Sequence, residues 1–269
     1  MNNNKIIDCH CHFITLDDFE LYKKSSCATI YLNIRSITHN SLISAYDFNT
    51  FKNVDNMYLT EAIDLDHLES ELIRVENNIQ QNKKIIAIKI YLGYQHYYAN
   101  DEKIKKVTKL AEKYGISMIF HCGETYSSNT SENPDKFADA IYIEELAKQF
   151  KNVNFIASHM NWPKFDNIFN LCEKYENIFT CISGCLDEID KKKRSLQVKR
   201  AIEIANKYLE IYPNLKNKLM YGTDFFYADV AFTDVSDYMK IVNNLNLDNK
   251  ENILYNTFLI AYKINEKKS

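Results

Sequence analysis

Short apolar runs rich in β-branched and aromatic residues alternate along this chain with longer stretches whose apolar positions recur every three or four residues. The first pattern predicts strands and the second amphipathic helices. Strand-like runs fall at residues 5–9, 27–34, 57–63, 85–91, 116–121, 153–158, 178–183 and 219–223. Between them, Leu68, Leu72, Val75 and Ile79 mark one face of a helix over 68–81, as Ile104, Val107, Leu110 and Ala111 do over 101–114. Further helices are expected from Pro134 towards Phe150 and over 165–175, 195–210, 234–245 and 248–264. Pro134 suits a first helical turn, where a missing N–H costs nothing. Such alternation favours parallel βα units, and eight strands is the number that closes a (β/α)8 TIM barrel.

The 269 residues are 46% hydrophobic, ample for a barrel of this type, which typically needs about 250 residues. No linker or repeat divides them, so a single α/β domain over residues 1–269 is expected. The 33 basic and 36 acidic residues leave a net charge of -3, which offers nucleic acid or an anionic membrane no basic surface. The partner expected is therefore a small-molecule substrate, with no nucleic acid and no membrane; a homo-oligomer is compatible, though no motif demonstrates one. The basic run Lys191-Lys192-Lys193-Arg194 reads as a solvated loop or a helix start. The seven cysteines are odd in number and lack the spacing of a disulfide framework. The first residues carry no secretory apolar core, and no apolar run approaches the roughly 20 residues of a membrane span. A cytoplasmic protein with reduced thiols is the expectation.

Candidate chemistry begins in Ile6-Ile7-Asp8-Cys9-His10-Cys11-His12-Phe13. Imidazoles at i and i+2 of a strand share a face and can bind one cation together. Cys9 and Cys11 alternate with them and are expected on the opposite face as small hydrophobes. His121, His159 and Asp224 follow at or just after the ends of expected strands five, six and eight, where barrels of this kind gather functional groups. Imidazole nitrogen and carboxylate oxygen suit Zn²⁺, and also Mn²⁺, Fe²⁺ or Ni²⁺. Three histidines and one aspartate would make a mononuclear site with room for a water whose pKa the metal lowers towards about 7.

Several segments together resemble the amidohydrolase superfamily: Asp8-Cys9-His10-Cys11-His12, Lys89-Ile90-Tyr91-Leu92-Gly93-Tyr94-Gln95, Phe120-His121-Cys122-Gly123-Glu124, Ser158-His159-Met160 and Tyr221-Gly222-Thr223-Asp224-Phe225. The match is to the amidohydrolase-related branch of metal-dependent hydrolases and some decarboxylases, and 252–256 resembles the helix that closes that family's barrel. The resemblance implies that His10, His12, His121 and Asp224 bind one divalent metal, with zinc the first candidate. It implies that Asp224 also accepts a proton from the metal-activated water. His159 would polarise a substrate carbonyl or stabilise developing negative charge; in binuclear relatives the corresponding histidine ligates a second metal. Lys89, at the end of strand four, is spaced from His121 as in phosphotriesterase-like enzymes, where a carboxylated lysine bridges two metals. It is thus either a bridging ligand for a second metal or an unmodified ammonium near a substrate carboxylate or a protein acid.

Substrate cues are fewer. Arg35, after strand two, offers a bidentate fork to a carboxylate or forms a surface salt bridge. Tyr91 and Trp162, with Tyr94, Tyr97, Phe225, Phe226 and Tyr227, follow strand ends and would wall the mouth or merely cap the barrel. The charged segment from Leu186 to Arg194 would serve as a mobile flap. The expected activity is hydrolysis of an amide, ester or lactone carbonyl by metal-activated water. The alternatives are a metal-dependent non-oxidative decarboxylase of a carboxylated small molecule, a TatD-type nuclease, whose pattern has glutamate where Lys89 stands, and a metal-binding barrel without catalysis.

Overall fold

Nine parallel strands follow one another around a single sheet in the computed structural model, which describes residues 5–38, 41–44, 48–125, 133–226 and 230–265. They are β1 (Ile7–His12), β2 (Ile30–Asn33), β3 (Met57–Ala62), β4 (Ile85–Ile90), β5 (Ser117–Phe120), β6 (Phe155–Ala157), β7 (Ile178–Cys181), β8 (Leu219–Met220) and β9 (Phe225–Phe226). β8 falls within the expected eighth strand, 219–223, whereas β9 lies just beyond it and was not anticipated. β8 pairs with β7 and β9 pairs with β1. Between them the Cys9 amide donates to the Tyr221 carbonyl at 3.0 Å and the Asp224 amide to the His10 carbonyl at 2.7 Å. The sheet therefore closes on itself as a (β/α)8 TIM barrel.

The helices outside it are α1 (Leu16–Tyr22), α2 (Leu68–Gln81), α3 (Glu102–Tyr114), α4 (Ile143–Gln149), α5 (Phe165–Lys174), α6 (Lys191–Ile211), α7 (Tyr238–Asn243) and α8 (Thr257–Ala261). Local signals set their ends. The Asp101 side chain accepts from the Lys103 amide to start α3, and Gly115, at φ +67°, ends it. The Asp190 side chain accepts from the Lys192 and Lys193 amides, so the basic run is the first turn of α6. At the N-terminal end of the barrel, Phe258, Ala261 and Tyr262 are buried with Ile7, Ile86, Ile119 and Ile156, and the Ser117 hydroxyl donates to the Ala261 carbonyl. That floor leaves the opposite end open for chemistry.

Several expected boundaries move. The helix predicted from Pro134 to Phe150 is two 3₁₀ turns, Pro134–Lys136 and Ala140–Tyr142, before α4, because Asn133 and Asp139 side chains each cap a new start. The helix over 234–245 contracts to α7, and that over 248–264 is a π turn at Asn252–Asn256 running into α8. The expected strand 5–9 extends to His12. α1, the antiparallel pair Ile37–Thr38 with Ser41–Ser44, and the short helices Phe48–Phe51 and Leu92–Gln95 were not anticipated by the apolar pattern. Among the described residues, no helix is long and apolar enough to cross a membrane.

One local irregularity shapes the site. Against β2, the register of β1 slips between Asp8 and Cys11. A slip of one residue exchanges the faces of a strand. Cys9 consequently lies in the barrel-floor cluster with Cys181 and Met220, whereas Cys11 packs in the main core with Phe13 and Tyr22. The expectation that both thiols face away from the histidines is corrected for Cys9: the bulge puts it and His10 around the same Cys181 thiol, 4.0 Å from His10 Nδ1.

Candidate active site

β1 delivers His10 and His12, and the turn joining β8 to β9 delivers Asp224, at φ +62°. Asp224 Oδ1 lies 3.2 Å from His10 Nε2 and 3.2 Å from His12 Nε2. One ligand atom from each of the three falls within 4.8 Å of the others. His12 is aimed by its far nitrogen, whose Nδ1 sits 2.9 Å from the Ile34 carbonyl and 2.9 Å from Ser36 Oγ. A proton held there leaves the Nε2 lone pair for a cation. After β6 the chain makes a left-handed turn, with His159, Met160 and Asn161 at φ 60°, 50° and 55°. Asn161 secures it by accepting from the Ala140 amide and donating to the Lys164 carbonyl. The turn places the His159 ring 5.0 Å from that of His10 and 4.9 Å from that of His121.

His121, the fourth expected ligand, stands one ring further out. Its Nε2 is 3.0 Å from the Glu124 carbonyl, and Tyr91 and Tyr94 pack against it at 6.3 and 5.1 Å. The structure thus brings His10, His12 and Asp224 together and sets His121 beside His159 at the edge of the group. Lys89 is fully buried beneath. Its Nζ donates to Ser158 Oγ at 3.1 Å and lies 5.1 Å from the Tyr91 ring, with no ion pair among the described residues.

Burial dominates the electrostatics. It holds His10 and His121 well below the ordinary imidazole range and His159 at about 4, with Asp224 opposing the shift at His159. Burial also lowers Lys89 to about 8. At Asp224 burial would raise the carboxyl, but His159, the His12 hydrogen bond and Lys89 outweigh it and hold it at about 2. Neutral His10, His121 and His159 therefore stand beside an ionised carboxylate whose side chain is 20% exposed. That donor set, two imidazole nitrogens and one carboxylate oxygen on the rim, fits a divalent cation with open positions.

The remaining predicted residues are distributed differently. Arg35 Nη1 donates to Glu61 Oε1 at 2.9 Å, and Glu61, fully buried, also accepts from Arg74 and Asn78. Its ion pair is a buried one, not the surface bridge considered from sequence. Tyr91 donates its hydroxyl to the Arg35 carbonyl at 2.8 Å. The Trp162 indole packs against Phe165 of α5 and Arg200 of α6, in the helix layer. Phe226 touches His12 at 5.8 Å, while Phe225 joins the core beside Phe13 and Tyr22. Tyr227 lies outside the described residues.

The expected flap is anchored. Leu186 is fully buried, and the Arg194 guanidinium donates to the carbonyls of Leu186, Glu188, Ala231 and Asp234 and to the Asp237 carboxylate. Arg194 ties the loop after β7 to the loop after β9.

Sequence reasoning assigned no role to Ser183, Gly184 or Asp8. The Ser183 carbonyl is 3.1 Å and its hydroxyl 3.0 Å from His159 Nδ1. Gly184, at φ +70°, lies so close that a Cβ there would meet His159 Nδ1 at 2.6 Å. The glycine at the end of strand seven was the visible signal for this close approach. Asp8 was visible as part of the opening motif.

No curated protein matches the chain. Solved structures do. An amidohydrolase from Burkholderia multivorans with bound zinc superposes with a TM-score of 0.64 at 10% identity, covering 96% of this chain and 99% of that one. A probable 2-pyrone-4,6-dicarboxylic acid hydrolase from Acinetobacter baumannii gives 0.61 at 13% identity, covering 96% and 99%. The 5-carboxyvanillate decarboxylase of Sphingomonas paucimobilis gives 0.61 at 10% identity, covering 98% and 100%. The family model for amidohydrolases matches residues 68–257, well over half of the chain. The chain belongs to the amidohydrolase family.

Proposed function

We propose that this protein is a metal-dependent hydrolase of a small organic substrate bearing an amide, ester or lactone carbonyl. The observation that carries the reading is the convergence of His10, His12 and an ionised, partly exposed Asp224 at the open end of the barrel. His10, His12 and Asp224 would hold the metal, with His121 completing the set by a shift of its ring; zinc suits these donors, and Mn²⁺, Fe²⁺ or Ni²⁺ remain compatible. When bound, such a cation polarises a carbonyl oxygen and acidifies water. Asp224 takes the proton of the attacking water and returns it to the leaving group. Ser183 keeps a proton on His159 Nδ1, so neutral His159 presents a lone pair at Nε2 and becomes a donor to negative charge only on taking a second proton. The seven free thiols favour a reducing, cytoplasmic setting.

Lys89 favours a second reading. A buried ammonium hydrogen-bonded to one neutral hydroxyl is a receptor for a substrate carboxylate, as a non-oxidative decarboxylase would need. Carboxylated instead, the same side chain would bridge a second metal. Elemental analysis of purified protein tests the metal, and loss of it in His10→Ala tests the site; unchanged metal content in that variant would overturn the assignment. Incorporation of labelled water into a product supports hydrolysis, and release of carbon dioxide from candidate acids would replace it with decarboxylation.

A further inference from the structure

Asp8 sits behind the site, fully buried, with all the acceptor capacity of its carboxylate used. Oδ1 accepts from the backbone amides of His10 at 3.0 Å and Thr223 at 3.1 Å. Oδ2 accepts from the hydroxyls of Thr223 at 2.6 Å and Tyr22 at 2.6 Å. Three of these four donors belong to the two chain segments that carry His10 and Asp224. The Thr223 hydroxyl extends the connection, because it also accepts from the Phe225 amide at 3.2 Å. Asp224 is thereby bracketed on both sides while it holds the left-handed φ of +62°, a conformation that a non-glycine residue keeps only where its surroundings impose it.

We infer that Asp8 is a positioning residue: it staples the β1 bulge to the break between β8 and β9, and so sets the spacing of His10 and Asp224 around the cation. The inference rests on the metal-site reading above. An amide in its place would keep the two backbone amides only by turning its N–H₂ towards the Thr223 and Tyr22 hydroxyls, reversing both of those bonds and pulling the Thr223 hydroxyl from its present role as donor. Partners behind a ligand shell of this kind typically contribute about 10- to 100-fold in metal affinity. Tyr22, reaching Asp8 from α1, packs its ring against Phe13 and Phe225, but its hydroxyl joins Asp8 to α1 and not to the backbone of either ligand segment, so its removal leaves the staple's own bonds in place.

Zinc affinity of the purified full chain, measured by competition with a chelating dye, tests the staple alongside apo-protein thermal unfolding. Asp8→Asn and Thr223→Val should each weaken zinc binding by about 10- to 100-fold, Thr223→Ser should restore it, and Tyr22→Phe should lower thermal stability while leaving zinc affinity near wild type. Should Asp8→Asn fail to fold, the threonine pair still decides. Wild-type zinc affinity in Thr223→Val, or equal weakening in Tyr22→Phe and Thr223→Val, would overturn the staple while loss of zinc in His10→Ala and Asp224→Asn still upheld the ligands. Wild-type affinity in His10→Ala and Asp224→Asn would overturn both.

Discussion

Replacing Gly184 with alanine loads two separable costs onto one position. The backbone there is left-handed at φ +70°, and the added Cβ would lie 2.6 Å from His159 Nδ1 and 3.1 Å from Asp224 Oδ2. A left-handed L-residue costs roughly 1–2 kcal/mol, and overpacking typically adds about 1–3 kcal/mol. The sum is roughly 2–5 kcal/mol, which for a chain of this size lowers the melting temperature by about 4–20 °C. Relief of the collision must move the His159 ring away from Ser183, so the hydrogen bond that fixes its tautomer weakens as well. Gly115→Ala supplies the control, because Gly115 shares the left-handed backbone at φ +67° but has nothing within 4 Å of the position an added methyl would take. That variant should lose only about 1–2 kcal/mol and bind zinc as the wild type does. Thermal unfolding followed by circular dichroism, with zinc competition on the same samples, separates the two. If Gly184→Ala matches Gly115→Ala in both measurements, the packing of Gly184 against His159 and Asp224 has no functional weight.

Other outcomes follow from the same structure. Three buried histidines are held below their ordinary value of 6.5, His159 at about 4. The unfolded chain takes up their protons first as pH falls, so their contribution to stability is present above about 6.5 and lost towards 4. Asp8, raised from 3.8 to about 6, acts in the opposite direction as a single group. The metal-free protein should therefore melt lower at pH 5 than at pH 7, and an unchanged or higher melting temperature would refute the neutral-histidine cluster. Lys89→Met removes an ammonium buried without an ion-pair partner among the described residues and should hold or raise metal-free stability. A carbon-dioxide adduct on Lys89 in the intact wild-type mass, with two metal equivalents, would show the bridging form instead. Arg194→Ala should cost on the order of 3 kcal/mol and speed tryptic cleavage between Lys191 and Lys193, with zinc affinity retained. Unchanged cleavage would mean that Arg194 does not tether the two loops.

The alternation of strand and helix patterns determined the barrel, because a parallel strand buried on both faces and an amphipathic helix leave distinct apolar periods that no distant contact has to supply. The same reading placed His10, His12, His121, His159 and Asp224 at strand ends on one rim, since chain direction alone fixes which end of a parallel strand faces the open side. Tertiary structure decided what those side chains do there. The bulge in β1 that turns Cys9 inward, the division of the last strand around Asp224, and the outward place of His121 depend on pairing between segments far apart in the chain, such as Asp8 with Thr223. Arg35 shows the same limit: sequence displays its charge, but only packing brings a buried Glu61 to meet it. Local periodicity records which face of an element is buried; it carries no record of the partner that buries it.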